Sequence, residues 1–370
     1  SFFDNSIIKL FLIFWLYILV VSILTNNFIS IKSSVFYFRF GLFAFFASCI
    51  IYYNQNILKN LFYFFLIIYF SLFFDSIYQY FFSKNILGFV YYNESNFRIT
   101  SFFGDDEVLG SYIARFFPLL MFLCVWNLKI QDQKKFSYLV LILSVVSFTV
   151  ILLSGERTSI GLFILSLLFI FFSSNRFRKS LIVPLIAIII IFSFTLSFSD
   201  KLKNRILTQT IKQMGLTSSS ERVVLFSKLY EGHYKISFNM FKEKPIFGHG
   251  AKMFRVYCLK EENFVADDAC TTHPHNFYAQ MIAETGIVGL ITMLSIFLFI
   301  CYAFILNFYS ICFKKKQFLT DEAICLLSFY FMTLFPLLPS GNFFNNWLSI
   351  IIYYPLGFLL FIIKSKKYYA

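Results

Sequence analysis

Charge is scarce in this sequence. Asp, Glu, Lys and Arg together supply 14% of the 370 residues, while 59% are hydrophobic. A soluble globular chain carries about 25% charged residues, so the shortage excludes a soluble domain. The mean hydropathy of +0.73 points the same way. Apolar runs of about 18 residues or more recur along most of the length, each long enough for a bilayer core about 30 Å thick. A cleavable signal is lacking too. No small-residue cleavage site follows the first apolar run, which is therefore expected to stay as a membrane helix; Ser rather than Met at position 1 leaves processing or truncation open. No internal repeat is visible, which withholds support from an inverted-repeat transporter.

Phe (56) and Tyr (23) are abundant, as are Ile, Lys and Asn. An AT-rich genome produces that bias without any function. Neither the aromatics nor all of the +13 net charge therefore argues for a partner, and no nucleic acid is expected. The arginines are the informative cations.

Hydropathy predicts an all-α, polytopic transmembrane bundle of about ten spans. They fall near 7–24, 35–53, 57–82, 107–126, 136–153, 158–173, 181–198, 276–309, 319–338 and 345–363. The clusters Lys129/Lys134/Lys135, Arg176/Arg178/Lys179, Lys314/Lys315/Lys316 and Lys364/Lys366/Lys367 all lie on one side when the spans are counted. The positive-inside rule makes that side the cytoplasm and places both termini there. The expected organisation is seven spans over 1–198, one large periplasmic loop over 199–275, and three spans over 276–370.

Within the long loop, Ser218, Ser219 and Ser220 suit the N-cap of a helix from Glu221 to about Phe241. Val223, Phe226, Tyr230, Tyr234 and Phe241 form its apolar stripe, as in a helix lying on a membrane surface. Pro245 and Gly248-His249-Gly250 end it in a turn, GHG being too short for a phosphate loop. Cys258 and Cys270 share this loop. In an oxidising compartment they pair as a disulfide; otherwise they are two free thiols.

The stretch with most chemistry is TTHPHNFYAQMIAETG, residues 271–286. Pro274 suits the first turn of a helix, which makes Thr272 or His273 the N-cap and puts His275 in the first turn. Asn276, Gln280 and Glu284 follow at i, i+4 and i+8 on one face, and Gly286 and Gly289 permit close packing. The positive end of the helix dipole disfavours a protonated imidazole. His275 is thus expected to be a neutral base, beside free N–H groups that suit an anion. The bland alternative is a capping histidine, but polar and ionisable groups inside a span favour a functional role. Cys270, His249, His273 and His275, with Asp267 and Asp268 nearby, admit a metal reading. Cys-x-x-His-x-His has no matching second pair at zinc spacing, so no metal is expected.

Arg157, in LLSGERTSIGL at the outer end of a span, is not accounted for by the positive-inside rule. It pairs with Glu156, snorkels, or holds a phosphate through its planar fork. Arg222, opening the loop helix, has the same choice between phosphate and a solvated or headgroup contact. Asp105, Asp106 and Glu107 are read as a helix cap, an Arg partner or a sugar contact rather than as catalytic groups.

Three segments then stand in order: SGERTSIGLFIL, SSSERVVLFSKLYEGHYKISFNMFKEKPIFGHG and THPHNFYAQMIAETGIVGL. Together they resemble the O-antigen ligase and polymerase superfamily, over roughly residues 100–310. These are membrane glycosyltransferases that act on polyprenyl-diphosphate-linked glycans in lipopolysaccharide biosynthesis. The resemblance implies metal-independent, cofactor-free, inverting transfer at the periplasmic face of the bacterial inner membrane. The donor would be undecaprenyl-diphosphate-linked glycan, and the acceptor a sugar hydroxyl of lipid A-core or of a growing O-antigen. Position by position, it implies that Arg157 and Arg222 hold the donor diphosphate, that His275 activates the acceptor hydroxyl, and that Asn276 supports it. Gln280 and Glu284 lie beneath as supporting residues. The competing class is a transporter or flippase of lipid-linked glycan, which needs cations and a lipid groove but no base.

Overall fold

The computed structural model describes residues 6–90, 97–128, 133–216, 227–266, 269–313 and 315–369. The chain is helical, with no strand element among the described residues. The first half holds α1 (Ser6–Leu24), α2 (Phe28–Val35), α3 (Phe38–Tyr53), α4 (Asn56–Phe82), α5 (Leu109–Asn127), α6 (Gln133–Leu153), α7 (Arg157–Ser173) and α8 (Asn175–Phe198). The second half holds α9 (Asp200–Lys203), α10 (Gln209–Gln213), α11 (Lys228–Glu243), α12 (Phe254–Tyr257), α13 (Phe277–Cys312), α14 (Asp321–Thr333) and α15 (Asn346–Tyr369). Eight spans among the described residues are long and apolar enough to cross a membrane, with α2 and α3 running on as one. The protein is a polytopic helical membrane bundle.

Two expected spans are not among these eight. Residues 158–173 correspond to α7, of 17 residues, and 319–338 to α14, of 13. The sequence after Thr333 contains Pro336 and Pro339, and a helix usually ends before the residue preceding a proline. Residues 334–345 leave the helix there and become available to other groups.

The chain divides into two compact units. One comprises Gln55–Ser220 and Ile300–Thr333. Its centre is α5, where Ile113, Phe117, Leu120 and Cys124 are all fully buried. A helix that is apolar all round belongs inside a bundle, and α5 packs against α4, α6, α7 and α14. The other unit comprises Ser1–Asn54, Glu221–Phe299 and Leu334–Ala370. There α3 packs along α15. A Cβ on Gly357 would lie 2.7 Å from the Ala47 Cβ, so this crossing depends on small residues. The segment expected as one loop, 199–275, is shared: its part before Glu221 belongs to the first unit and the rest to the second.

The loop helix is real, but its inner face differs from the expected stripe. Ser227 is the N-cap, its hydroxyl accepting from Tyr230 N; Ser218, Ser219, Ser220, Arg222, Val223 and Phe226 lie outside the described residues. The fully buried side chains of α11 are His233, Ile236, Ser237 and Met240. Ile236 and Met240 join Phe254, Cys258, Ala269 and Ala283 in a compact core, each contributing roughly 1.5–3 kcal/mol by burial. Tyr230, Tyr234 and Phe241 are only half-buried. Protein, not a membrane surface, covers the inner face of α11.

Candidate active site

The site in the second unit begins with a fault in α13. Gly286 has φ 62° and ψ −160° and interrupts the helix. Such a break leaves carbonyls unpaired unless other groups supply donors. Here the GHG turn supplies them: His249 N donates to Ala283 O (3.1 Å) and Gly250 N to Glu284 O (2.8 Å). The Tyr17 hydroxyl takes Thr285 O at 2.6 Å. On the far side of the break Ile287 N donates to Pro245 O at 2.9 Å. A Cβ on Gly286 would stand 2.3 Å from Ile246 O, and one on Gly248 2.6 Å from the Thr285 N. Both glycines are required by this backbone contact. Gly286 therefore acts as a break, not as the helix-packing surface expected of it.

Asn276, Gln280 and Glu284 form the expected buried face, and each fastens a different segment. Asn276 donates through Nδ2 to Pro336 O (2.8 Å) while its Oδ1 accepts from Tyr278 N (2.9 Å) and Ala279 N (3.1 Å). Gln280 donates to Asn342 Oδ1 (2.9 Å) and Glu284 Oε2 (2.9 Å), and accepts from Phe343 N (2.8 Å). Glu284 also accepts from Lys252 N (3.0 Å) at Oε2 and Phe254 N (2.9 Å) at Oε1. The stripe thus ties segments 252–254 and 336–343 to α13.

Asn276, not Thr272 or His273, is the N-cap of α13. His275 precedes the helix, with φ +53°, and its carbonyl accepts from Ser340 N at 2.8 Å. Two corrections follow. His275 is not in the first helical turn, because Pro274 and His275 both precede the cap. The first N–H groups are also not free for an anion, since the Asn276 side chain occupies two of them.

His275 lies in a group of imidazoles. Its ring centroid is 4.1 Å from that of His273 and 5.3 Å from that of His233, with Tyr230 at 5.8 Å. Burial, then the neighbouring His233, pushes His275 down to about 4. Burial pushes His273 down to about 3, reinforced by His275, His233 and Arg255. Both are neutral at neutral pH, and His275 stays half-exposed. The cause is desolvation and crowding, not the helix dipole. A neutral, reachable imidazole can accept a proton from a hydroxyl. Cys258 and Cys270 are joined in a disulfide, with Cα atoms 5.3 Å apart, so Cys270 is not available as a metal thiolate.

The first unit carries a separate cationic group. Arg157, opening α7, donates to Thr210 Oγ1 (2.9 Å) and Gln213 Oε1 (2.7 Å). Glu156, one of the partners considered for it, accepts from Gly110 N (2.7 Å), Ser111 N (3.1 Å) and Ser159 Oγ (2.9 Å). Burial pushes the Glu156 carboxyl up, opposed by these bonds and by Arg98 and Arg115. Arg205 donates to Gly155 O (3.2 Å) and Gln209 Oε1 (2.7 Å). Burial, then Arg98 and Arg157, pushes it down to about 10. Glu107 pairs with Arg98, one of the roles expected of it. Arg157 and His275 belong to different units, and Arg222, Asp267 and Asp268 lie outside the described residues.

Sequence reasoning missed several members of these groups. His233 was hidden in a helix read for its apolar stripe, although Gly-His beside two tyrosines is an unusual inner face. Ser340 and Asn342 fall in the short connection between the expected spans 319–338 and 345–363, where no periodicity marks them. Arg205 sits in a basic loop with no periodicity, on a π-helical turn over Asn204–Thr208.

These observations define a multi-span membrane protein with a neutral imidazole group in one unit and a guanidinium group in the other. The O-Antigen ligase family model matches residues 142–294, a segment holding Arg157, Arg222, His275, Asn276, Gln280 and Glu284. Over that segment the chain is similar to O-antigen ligases, and its long apolar helices make it a membrane protein. No curated protein matches it.

Proposed function

We propose that this protein transfers glycan from a polyprenyl-diphosphate-linked donor to a sugar hydroxyl, without metal or cofactor and with inversion at the anomeric carbon. The acceptor hydroxyl, on lipid A-core or a growing O-antigen, gives its proton to His275. Its oxygen attacks the anomeric carbon as the bond from that carbon to the diphosphate oxygen breaks. The lipid diphosphate leaves with the bonding electrons, and Arg157 and Arg222 neutralise the charge it gains. Asn276 supports the base through the backbone, by capping α13 immediately after it. Gln280 and Glu284 hold the surrounding segments. With α7 and α14 counted as crossings, the positive-inside pattern supports a periplasmic reaction and cytoplasmic termini.

The observation that carries this reading is His275 itself: neutral, half-exposed, and held in a left-handed backbone at the start of α13. A flippase needs no such base. The test is His275→Ala, assayed for glycan transfer in membranes with the level of inserted protein measured alongside. We expect normal insertion and a loss of transfer of about 100-fold or more, the usual contribution of a general base. Full transfer by the inserted variant would refute the mechanism.

A further inference from the structure

His233 is fully buried on the inner face of α11. Gly232 lets the helix approach Ala269 closely: a Cβ there would lie 2.7 Å from the Ala269 Cβ. The approach sets His233 Nδ1 2.6 Å from Ala269 O. A carbonyl only accepts, so Nδ1 carries the hydrogen, and the neutral ring keeps its lone pair on Nε2. The His233 ring faces His275 at 5.3 Å between centroids, with the planes 35° apart. Phe254 closes another side of it edge-on at 6.3 Å. The wall behind is braced: Ala269 adjoins Cys270, which is bonded to Cys258 beyond α12.

We propose that His233 is a positioning residue for His275, seating the base ring and denying it a proton until an acceptor hydroxyl supplies one. The proposal rests on His275 being the base. Two imidazolium rings this close would repel, so a proton on either ring disfavours one on the other. His273, 4.1 Å from His275 between centroids, adds a third imidazole, and Arg255 a cation that acts on His273. His273 and His275 come from the segment before α13, Tyr230 and Tyr234 from α11, and Arg255 from α12. Glu284, the carboxylate of α13, is engaged by three donors. Crowding by His233 is second to burial among the causes that hold His275 neutral.

The test is His233→Asn, whose amide can still donate to Ala269 O but has no ring. The chain has four histidines, so their titrations can be followed separately by NMR of histidine-labelled protein in detergent. Folding is checked by thermal melting, and His233→Gln serves if the Asn variant does not fold. We expect the His275 midpoint to rise by about half a pH unit or more, and the acid limb of kcat/KM for transfer to rise with it. The variant then loses more transfer at pH 5 than at pH 8. A folded variant with an unmoved His275 titration would overturn the proposal, as would an equal loss at every pH. These outcomes are separable from the base assignment, because His275→Ala tests that assignment alone and the NMR titration does not depend on turnover.

Discussion

Replacing Glu284 by Gln tests the buried stripe most directly. The carboxylate accepts from Phe254 N at 2.9 Å, Lys252 N at 3.0 Å and Gln280 Nε2 at 2.9 Å, and is fully buried. An amide preserves the shape but offers one acceptor oxygen. With that oxygen at the Oε2 position, the new NH2 points at the Phe254 N–H, and both donors are left unsatisfied. An orphaned buried donor costs ~1–3 kcal/mol. The two remaining bonds lose their charge assistance, about 1 kcal/mol each. The sum is about 4–8 kcal/mol, a fall in Tm of roughly 10–30 °C for a unit of this size. The assay is thermal unfolding of the purified protein in detergent. Segment 252–254 runs directly into α12, which carries Arg255 and leads to the disulfide, so transfer should fall as well. A Tm within about 2 °C of the parent would show that Glu284 does not fasten this segment, and the account of the stripe would be wrong.

Both His273 and His275 have folded values below the usual ~6.5. The unfolded chain therefore binds more protons between about pH 4 and 6.5, and stability rises with pH through that window and levels off above it. Melting temperatures across pH 4.5 to 7.5 check the sign. Transfer should keep its base form down to about pH 5 and decline towards pH 4. Cys258→Ser opens a loop closed at a separation of 12 residues and should cost about 3 kcal/mol, read as a lower Tm that reductant reproduces in the parent. Gly286→Ala forces a Cβ to 2.3 Å from Ile246 O at φ +62°. Strain and overpacking together should cost ~2–4 kcal/mol, also measured by melting. Arg157→Lys should reduce kcat/KM at least about 10-fold, because an ammonium cannot reproduce the two-pronged contact; unchanged donor binding would count against a diphosphate role.

The membrane class and most helices were legible because hydropathy depends only on local composition, as in α1, α6 and α8. The Asn276–Gln280–Glu284 face was legible for the same kind of reason: a four-residue spacing survives whatever the rest of the chain does. What each residue touches was not, because Phe254, Asn342 and Pro336 are brought in by tertiary folding. The entry to α13 was misjudged by competition between two local signals. Pro274 is acceptable in a first helical turn, but Asn276 is a stronger N-cap two residues later, and its side chain has donors on one side and an acceptor on the other. Gly286 illustrates the same limit. A glycine in an apolar helix reads as a packing site, and only the GHG turn with its two N–H donors makes it a break.

The left-handed backbone at His275 bears on mechanism. A non-glycine residue at φ +53° costs of order 1–3 kcal/mol, and such strain persists only where the surroundings over-determine it. Here they do: Ser340 N holds the His275 carbonyl, and the next residue is fixed by three bonds of the Asn276 side chain. Relaxing His275 into the helix would turn its ring away from His233 and His273 and break the Ser340 bond. A histidine serving only as a cap would have no need of this conformation, because Asn276 already caps α13. The strain is accounted for if the direction of the His275 ring is what matters, and that is the requirement of a base that must meet one hydroxyl in one orientation.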